Sequence, residues 1–136
     1  VMLQKEFAEK LVSAPNCKSY TSLAVFCQFY FDVEYLFTVS KQCFFPPPKV
    51  DSAVVRLRPK AVLLAVDSVF FFNIVHSVFW ARRKQCVVAL KKSPFIQLKA
   101  GFSTVDFFKK QPKIRGEVLD LDGFKQLYDD LLPYKL

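Results

Sequence analysis

The stretch Phe44-Phe45-Pro46-Pro47-Pro48-Lys49-Val50-Asp51-Ser52 constrains this chain more than any other. Each proline fixes its own φ, removes a backbone donor and pushes the residue before it toward extended geometry. Three in succession exclude a helix interior or a central strand. The run is expected to be a stiff, extended connector that loses little conformational entropy when something docks on it. Phe44 and Phe45 precede it and Lys49 follows, so it can present an aromatic face at a fixed place. Such phenylalanines can equally plug a core, since most phenylalanine is buried. The residues leave both open.

Either side of the prolines the pattern is that of a strand. Val33 to Val39 alternates, with Val33, Tyr35, Phe37 and Val39 on one face. Ala53 to Arg58 does the same, with Val55 and Leu57 opposite Val54, Arg56 and Arg58. An antiparallel pair with the prolines at one end is expected. Two strands are not a stable sheet, so further strands are expected from elsewhere. Upstream, residues 2–13 read as a helix with Leu3, Phe7 and Leu11 at i, i+4, i+8, stopped by Pro15. The chain opens at Val1 with no cap before this helix, as though cut from something longer. Thr21 or Ser22 caps a second helix to about Phe31, with Leu23, Phe26, Cys27 and Tyr30 as its apolar stripe.

After Pro59 and the apolar patch Ala61–Val66 the pattern becomes helical. Asp67 caps one long helix expected to reach about Lys91, apolar on most sides early and therefore packed all round. His76 within it reads as a core or edge histidine. Residues 95–100 suggest a short helix ending at Gly101, and Ser103 to Asp106 a capping box for another through Lys110. Asp120 or Asp122 caps a last helix with Phe124, Leu127, Tyr128 and Leu131 on one face.

Charge separates these regions. Net charge is +8 over 136 residues, but by segment it is +2 over 1–59, +9 over 60–115 and −3 over 116–136. A basic block of this kind attracts polyanions, RNA above all. With over half its residues apolar, 52%, the chain is not of the disordered class. The cysteines at 17, 27, 43 and 86 have no CxxC spacing, and His76 is the only histidine, so no zinc site is expected. Buried, reduced thiols are expected instead. Val69 to Trp80 is too short and too polar to span a membrane.

Phe44-x-Pro46-x-Pro48-x-Val50-x-Ser52 resembles the late motif of the ribosomal RNA adenine N6,N6-dimethyltransferases, the KsgA/RsmA-type enzymes and their Erm methylase relatives. Met2-Leu3-Gln4-Lys5-Glu6, Lys49-Val50-Asp51-Ser52-Ala53-Val54-Val55-Arg56-Leu57, Arg82-Arg83-Lys84 and Arg115-Gly116-Glu117-Val118-Leu119 follow in the family's order. The resemblance covers essentially the whole chain and matches the family's C-terminal half. It implies an α/β fold: residues 1–59 as the end of a class I, Rossmann-like methyltransferase sheet, and 60–136 as a small all-helical RNA-binding domain. It implies S-adenosylmethionine-dependent dimethylation of adjacent adenines near the 3′ end of 16S rRNA, in a cytoplasmic, monomeric enzyme of ribosome biogenesis whose partner is the small subunit and which needs no metal or membrane.

By the same resemblance Phe44, with Pro46 and Pro48 fixing its backbone, lines the pocket for the target adenine. Arg82, Arg83 and Lys84 contact phosphates. Arg56, Arg58, Lys91 and Lys92 extend the cationic surface, as do Lys109, Lys110, Lys113 and Arg115. No Gly-rich turn for the cofactor is readable, nor is the family's Asn-Leu-Pro-Tyr motif. The chain by itself is therefore expected to lack the cofactor site. A catalytically silent RNA- or ribosome-binding fragment is the alternative. Phe79-Trp80-Ala81 departs from the family, which usually carries a polar residue before the Arg-Arg-Lys run.

Overall fold

The chain opens with a strand, β1 (Met2–Gln4), and only then enters helix α1 (Lys5–Leu11). This corrects the single helix expected over 2–13. Spacings of four do not distinguish the two, because Leu3 points inward in either. The deciding partner is distant: Met2, Leu3 and Gln4 pair antiparallel with Val54, Ala53 and Ser52. The Lys5 amide donates to the Asp51 carbonyl at 3.0 Å, fixing where the helix starts. Phe7 is consequently exposed, and α1 buries Ala8 and Leu11. A side chain closes its end: Gln28 Nε2 donates to the carbonyl of Leu11, the last helical residue, and to that of Ser13 just beyond, each at 3.0 Å.

The computed structural model describes residues 1–61 and 66–136. The expected boundary patch Ala61–Val66 falls, at 62–65, outside the described residues. The chain divides into two compact units, Val1–Val62 and Leu63–Leu136.

In the first unit α2 (Ser22–Tyr30) turns Ala24, Val25 and Phe29 inward. The expected stripe of Leu23, Phe26, Cys27 and Tyr30 is only half-buried. Ala8 of α1 and Ala24 of α2 are both sealed, small residues where neighbouring elements pack closely. β2 (Phe31–Val39) pairs antiparallel with β3 (Ser52–Pro59), giving a three-stranded sheet in the order β1-β3-β2. The third strand comes from the residues read as helix. The single apolar face expected for β2 is broken by a bulge. Tyr35 pairs with Val55 but Phe37 with Val54, so Leu36 is the extra residue and the strand changes face there. Phe37 is therefore exposed. The Tyr35 hydroxyl and Thr38 Oγ1, 2.6 Å apart, span the bulge. Ala8, Ala53 and Val55 form the core beneath the sheet, with Leu3 and Tyr35 against it.

The second unit is helical. Asp67 caps α3 (Ser68–Trp80), accepting from the Phe70 amide at 3.1 Å. The long helix expected to reach Lys91 instead breaks at 81–85 and resumes as α4 (Cys86–Lys92). Neither glycine nor proline marks the break. A local turn and a tertiary bond make it: the Lys84 amide turns back to the Ala81 carbonyl at 2.7 Å, and the Cys86 amide leaves for the distant carbonyl of Ile114 at 2.8 Å. α3 buries Phe70, Phe71, Ile74, Val75, Ser77 and Val78 but leaves Val69, His76 and Trp80 exposed, so it is not packed all round.

Residues 95–100 are not helical. Leu98 bridges to Lys135 and the Lys99 amide donates to the Tyr134 carbonyl, a pairing no local pattern announces. Gly101 follows with φ +91, where a side chain would be strained. The expected capping box does not form: in α5 (Asp106–Lys110) the Phe107 amide donates to Asp130 Oδ2 at 2.9 Å, from the last helix. That helix, α6 (Leu121–Leu131), meets expectation. Asp120 accepts from the Gly123 amide at 2.7 Å, and Phe124, Leu127, Tyr128 and Leu131 are buried. Each large side chain so buried contributes about 1.5–3 kcal/mol.

Of the thiols expected to be buried, only Cys86 is; Cys17 and Cys43 are exposed. Burial pushes the Cys86 thiol up to about 12, so it stays protonated. Among the described residues no helix is long and apolar enough to cross a membrane.

Gly116 touches α3 so closely that a β-carbon there would lie 1.8 Å from Val78 Cγ1. Gly116→Ala is expected to destabilise the second unit by about 1–3 kcal/mol, read as a lower urea midpoint. Asp67 gives a pH prediction. The hydrogen bond from Lys135 first, and the Phe70 amide second, hold its carboxyl below the usual carboxylate range. A folded pKa below the unfolded one adds stability that is complete above the unfolded value, about 3.9. That stability is lost as pH falls through the depressed value. Lys135→Met should therefore move the acid-unfolding midpoint upward in pH.

Candidate nucleic-acid interface

The proline loop belongs to the first unit. Val39 pairs with Ser52, so residues 40–51 form the closed end of the β2–β3 pair. A short 3-10 turn, Lys41–Cys43, opens it. Ser40 Oγ accepts from the Gln42 amide at 3.3 Å, and the Cys43 amide donates to the Ser40 carbonyl at 3.0 Å. Asp51 ties the two ends together. Its Oδ1 accepts from the Lys41 amide at 2.9 Å while its own carbonyl accepts from Lys5. One residue thus pins the start of α1, the entrance of the loop and its exit. Between these ties Phe44 is extended, with φ −117 and ψ 149, and half-buried. Pro46 and Pro48 are exposed, and the Phe45–Pro46 peptide is cis. Phe45 is the ring the loop gives wholly to solvent, at 99% exposure. The sequence reading passed over it because both rings precede the prolines, and only the turn at 41–43 decides which one faces the protein.

Arg56 and Arg58 lie on the outer face of β3; Arg56 is bonded to an acid, while the acid across from Arg58, Asp32, pairs with Lys60 Nζ at 3.5 Å. In register they stand opposite Glu34 and Asp32. Arg56 donates through Nε to Glu34 Oε2 at 3.1 Å and through a second nitrogen to the same oxygen. The Arg56 hydrogen bond, more than any other influence, holds the Glu34 carboxyl below its usual range. This face is charge-compensated.

In the second unit the break between α3 and α4 displays Arg82, Arg83 and Lys84 on a turn, where a helix was expected. Arg82 is half-buried, and its Nε donates to Glu117 Oε2 at 3.0 Å. Arg83 and Lys84 are exposed. The Cys86–Ile114 bond brings a second basic run alongside, because Lys113 and Arg115 flank Ile114 and are exposed. Two cationic segments some thirty residues apart in sequence thus meet at one turn, locked by Gly116 against Val78 and by Arg82 on Glu117. Lys91 and Lys92 sit in the last turn of α4, where the helix dipole favours cations. With Lys99 they rim an open groove whose floor includes Leu98 and Phe102. Lys109 and Lys110 are exposed at the end of α5, Lys109 near Asp106 at 3.5 Å. Lys99 is the cation the sequence reading missed; only the extended path of 95–100 carries it to the rim.

Such an arrangement can hold phosphates without reading sequence, since phosphate contacts position and base contacts specify. A rigid loop with one half-buried and one exposed ring can stack a base.

A sequence profile described as "Ribosomal RNA adenine dimethylase" matches residues 1–105. "Ribosomal RNA small subunit methyltransferase A" of Protochlamydia amoebophila is 39% identical over 131 residues, covering 96% of this chain and 45% of that protein. The protein of the same name from Persephonella marina is 40% identical over 136 residues, covering 98% and 48%. The chain therefore spans about half the length of the curated relatives it matches. The crystal structure of a dimethyladenosine transferase from Plasmodium falciparum aligns with a TM-score of 0.76 at 23% identity, over 93% of this chain and 54% of that one. That of the 23S rRNA methyltransferase ErmE aligns with a TM-score of 0.58 at 24% identity, over 96% and 52%. At these identities the two structures are evidence of fold only.

The Asp51 tie is testable by hydrogen exchange. Asp51→Ala should raise the exchange rate of the Lys41 amide and loosen the loop by about 1 kcal/mol, leaving the amides of α6 unchanged.

Proposed function

This chain belongs to the ribosomal RNA adenine dimethylase family, and from that premise we propose that it is the C-terminal half of an S-adenosylmethionine-dependent enzyme that dimethylates N6 of adjacent adenines near the 3′ end of small-subunit rRNA. The first unit would close the Rossmann-like catalytic domain and carry the base-holding loop. The second would be the helical domain that docks on RNA. The enzyme would act as a cytoplasmic monomer in ribosome biogenesis. What supports the reading most is that the family match spans the whole proline loop and the Arg82–Lys84 turn together.

The residues present do not fit the methyl donor. The glycines lie at 101, 116 and 123, all in the second unit, so the first unit has no glycine turn by which a backbone could approach a cofactor. The chain's own contribution is positional. N6 methylation needs the amino nitrogen aimed at the methyl group, a matter of holding the base still. Phe44, with Pro46 and Pro48 restricting its backbone, would stack on the everted adenine. Stacking is worth roughly 1–3 kcal/mol against a flipping cost of a few kcal/mol, so one preset ring offsets a meaningful share. Arg83, Lys84, Lys113 and Arg115 would bind phosphates, joined by Lys91 and Lys92. Arg82 would hold the turn in shape through Glu117, and Arg56 and Arg58, facing acids, would contribute least.

Two measurements test this. Calorimetry should find no S-adenosylmethionine binding by this chain, and heat of binding here would overturn the division of labour. In the full-length enzyme Phe44→Ala should lower methyl transfer to immature small subunits by roughly ten-fold or more. If Phe44→Ala is fully active, the base-holding role does not belong to Phe44.

A further inference from the structure

One outer surface of the second unit has no part in the docking just described. Along α3, Val69, His76 and Trp80 are exposed on one side, Trp80 at 54%. Phe95, from the segment after α4, is laid against His76 and Trp80. Its ring lies 4.6 Å from that of His76 and 6.5 Å from that of Trp80, the latter edge-on. A hydrogen-bond chain fixes this placement. Ser93 Oγ donates to Ser77 Oγ at 2.7 Å, accepts the Phe95 amide at 3.0 Å, and Ser77 in turn donates to the Asn73 carbonyl. The aromatic group is thus built into α3 although Trp80 and Phe95 both remain exposed.

Its surroundings indicate the occupant. Arg83 and Lys84 follow Trp80 within four residues, and Lys91 and Lys92 precede Phe95 within four. Between Asp67 and Asp106 there is no acidic residue at all. A second copy of the chain would bring cation onto cation. A polyanion with flat apolar groups meets both features, and unpaired RNA is that ligand: phosphates for the lysines and arginines, base faces for the rings.

We propose that Trp80 and Phe95, backed by His76, form a stacking platform for unpaired bases of RNA, beside the phosphate-binding turn. The inference rests on the reading that the second unit binds RNA. It adds a base-contacting site in that unit, where the cations alone would hold only backbone.

Trp80 is the only tryptophan of the chain, so its fluorescence reports the platform directly. The probe is a short oligouridine, which has little structure of its own. Saturable quenching of Trp80 is expected. Trp80→Ala should weaken binding roughly five- to hundred-fold without changing the slope of log Kd against log salt. Trp80→Phe should stay close to the native affinity. Lys84→Gln should flatten that slope by about 0.7. Circular dichroism of each variant verifies the fold. If Trp80→Ala binds like the native chain while Lys84→Gln flattens the slope, the platform is overturned and the RNA reading stands. If the native chain binds no RNA at low salt, both fall. If Trp80 is silent to RNA but shifts as the chain doubles in mass, a second copy covers the rings and the platform is likewise overturned.

Discussion

The antiparallel pairing of β2 with β3 is the constraint on which the first unit depends. It sets Val39 opposite Ser52 and so decides how much chain must be closed between them. Residues 40–51 are few enough that the 3-10 turn Lys41–Cys43 and three prolines fill the span. Asp51 then does three things from one position, through its carboxylate and its carbonyl. Because β1 uses the other edge of β3, the same strand that positions the loop also starts α1. Loop geometry and helix entry are therefore one problem with one solution.

The second unit is held by a comparable latch. Gly116 lets the backbone of residues 114–117 lie against Val78, and from there Ile114 takes the Cys86 amide and Glu117 takes Arg82. These contacts end α3 early. A basic run that would have been spread around a helix is gathered instead on a turn, next to a second basic run. Which cations are available follows from which acids are near. Arg56 and Arg82 are bonded to carboxylates, while Arg83, Lys84, Lys113 and Arg115 are exposed. Net charge says nothing of this sorting.

Several elements were legible from residues alone. Asp120 or Asp122 with Phe124, Leu127, Tyr128 and Leu131 specified α6, because a side-chain cap and a 3.6-residue apolar period agree there, and the structure selects Asp120 as the cap. Asp67 at the start of α3 and the strands either side of the prolines were readable for the same reason. Where the reading failed, a distant partner outweighed a local pattern. Met2–Gln4 became a strand because β3 had an open edge. Residues 95–100 were drawn out by Tyr134 and Lys135. Phe107 took Asp130 in place of a cap from its own turn. Leu36 slipped the register of β2, and Phe37 went to solvent with it.

The candidate site divides along the same line. Proline chemistry, which acts within one residue of itself, called for a stiff loop after two phenylalanines, and the count of lysines and arginines concentrated positive charge in residues 60–115. These are properties of covalent structure and composition, so they need no fold. Which ring meets water, which arginine is neutralised, and that Phe95 lies against Trp80 were decided only in three dimensions. Those outcomes depend on atoms far apart in the chain, and hydrogen bonds and van der Waals contacts act over a few ångströms whatever the separation in sequence.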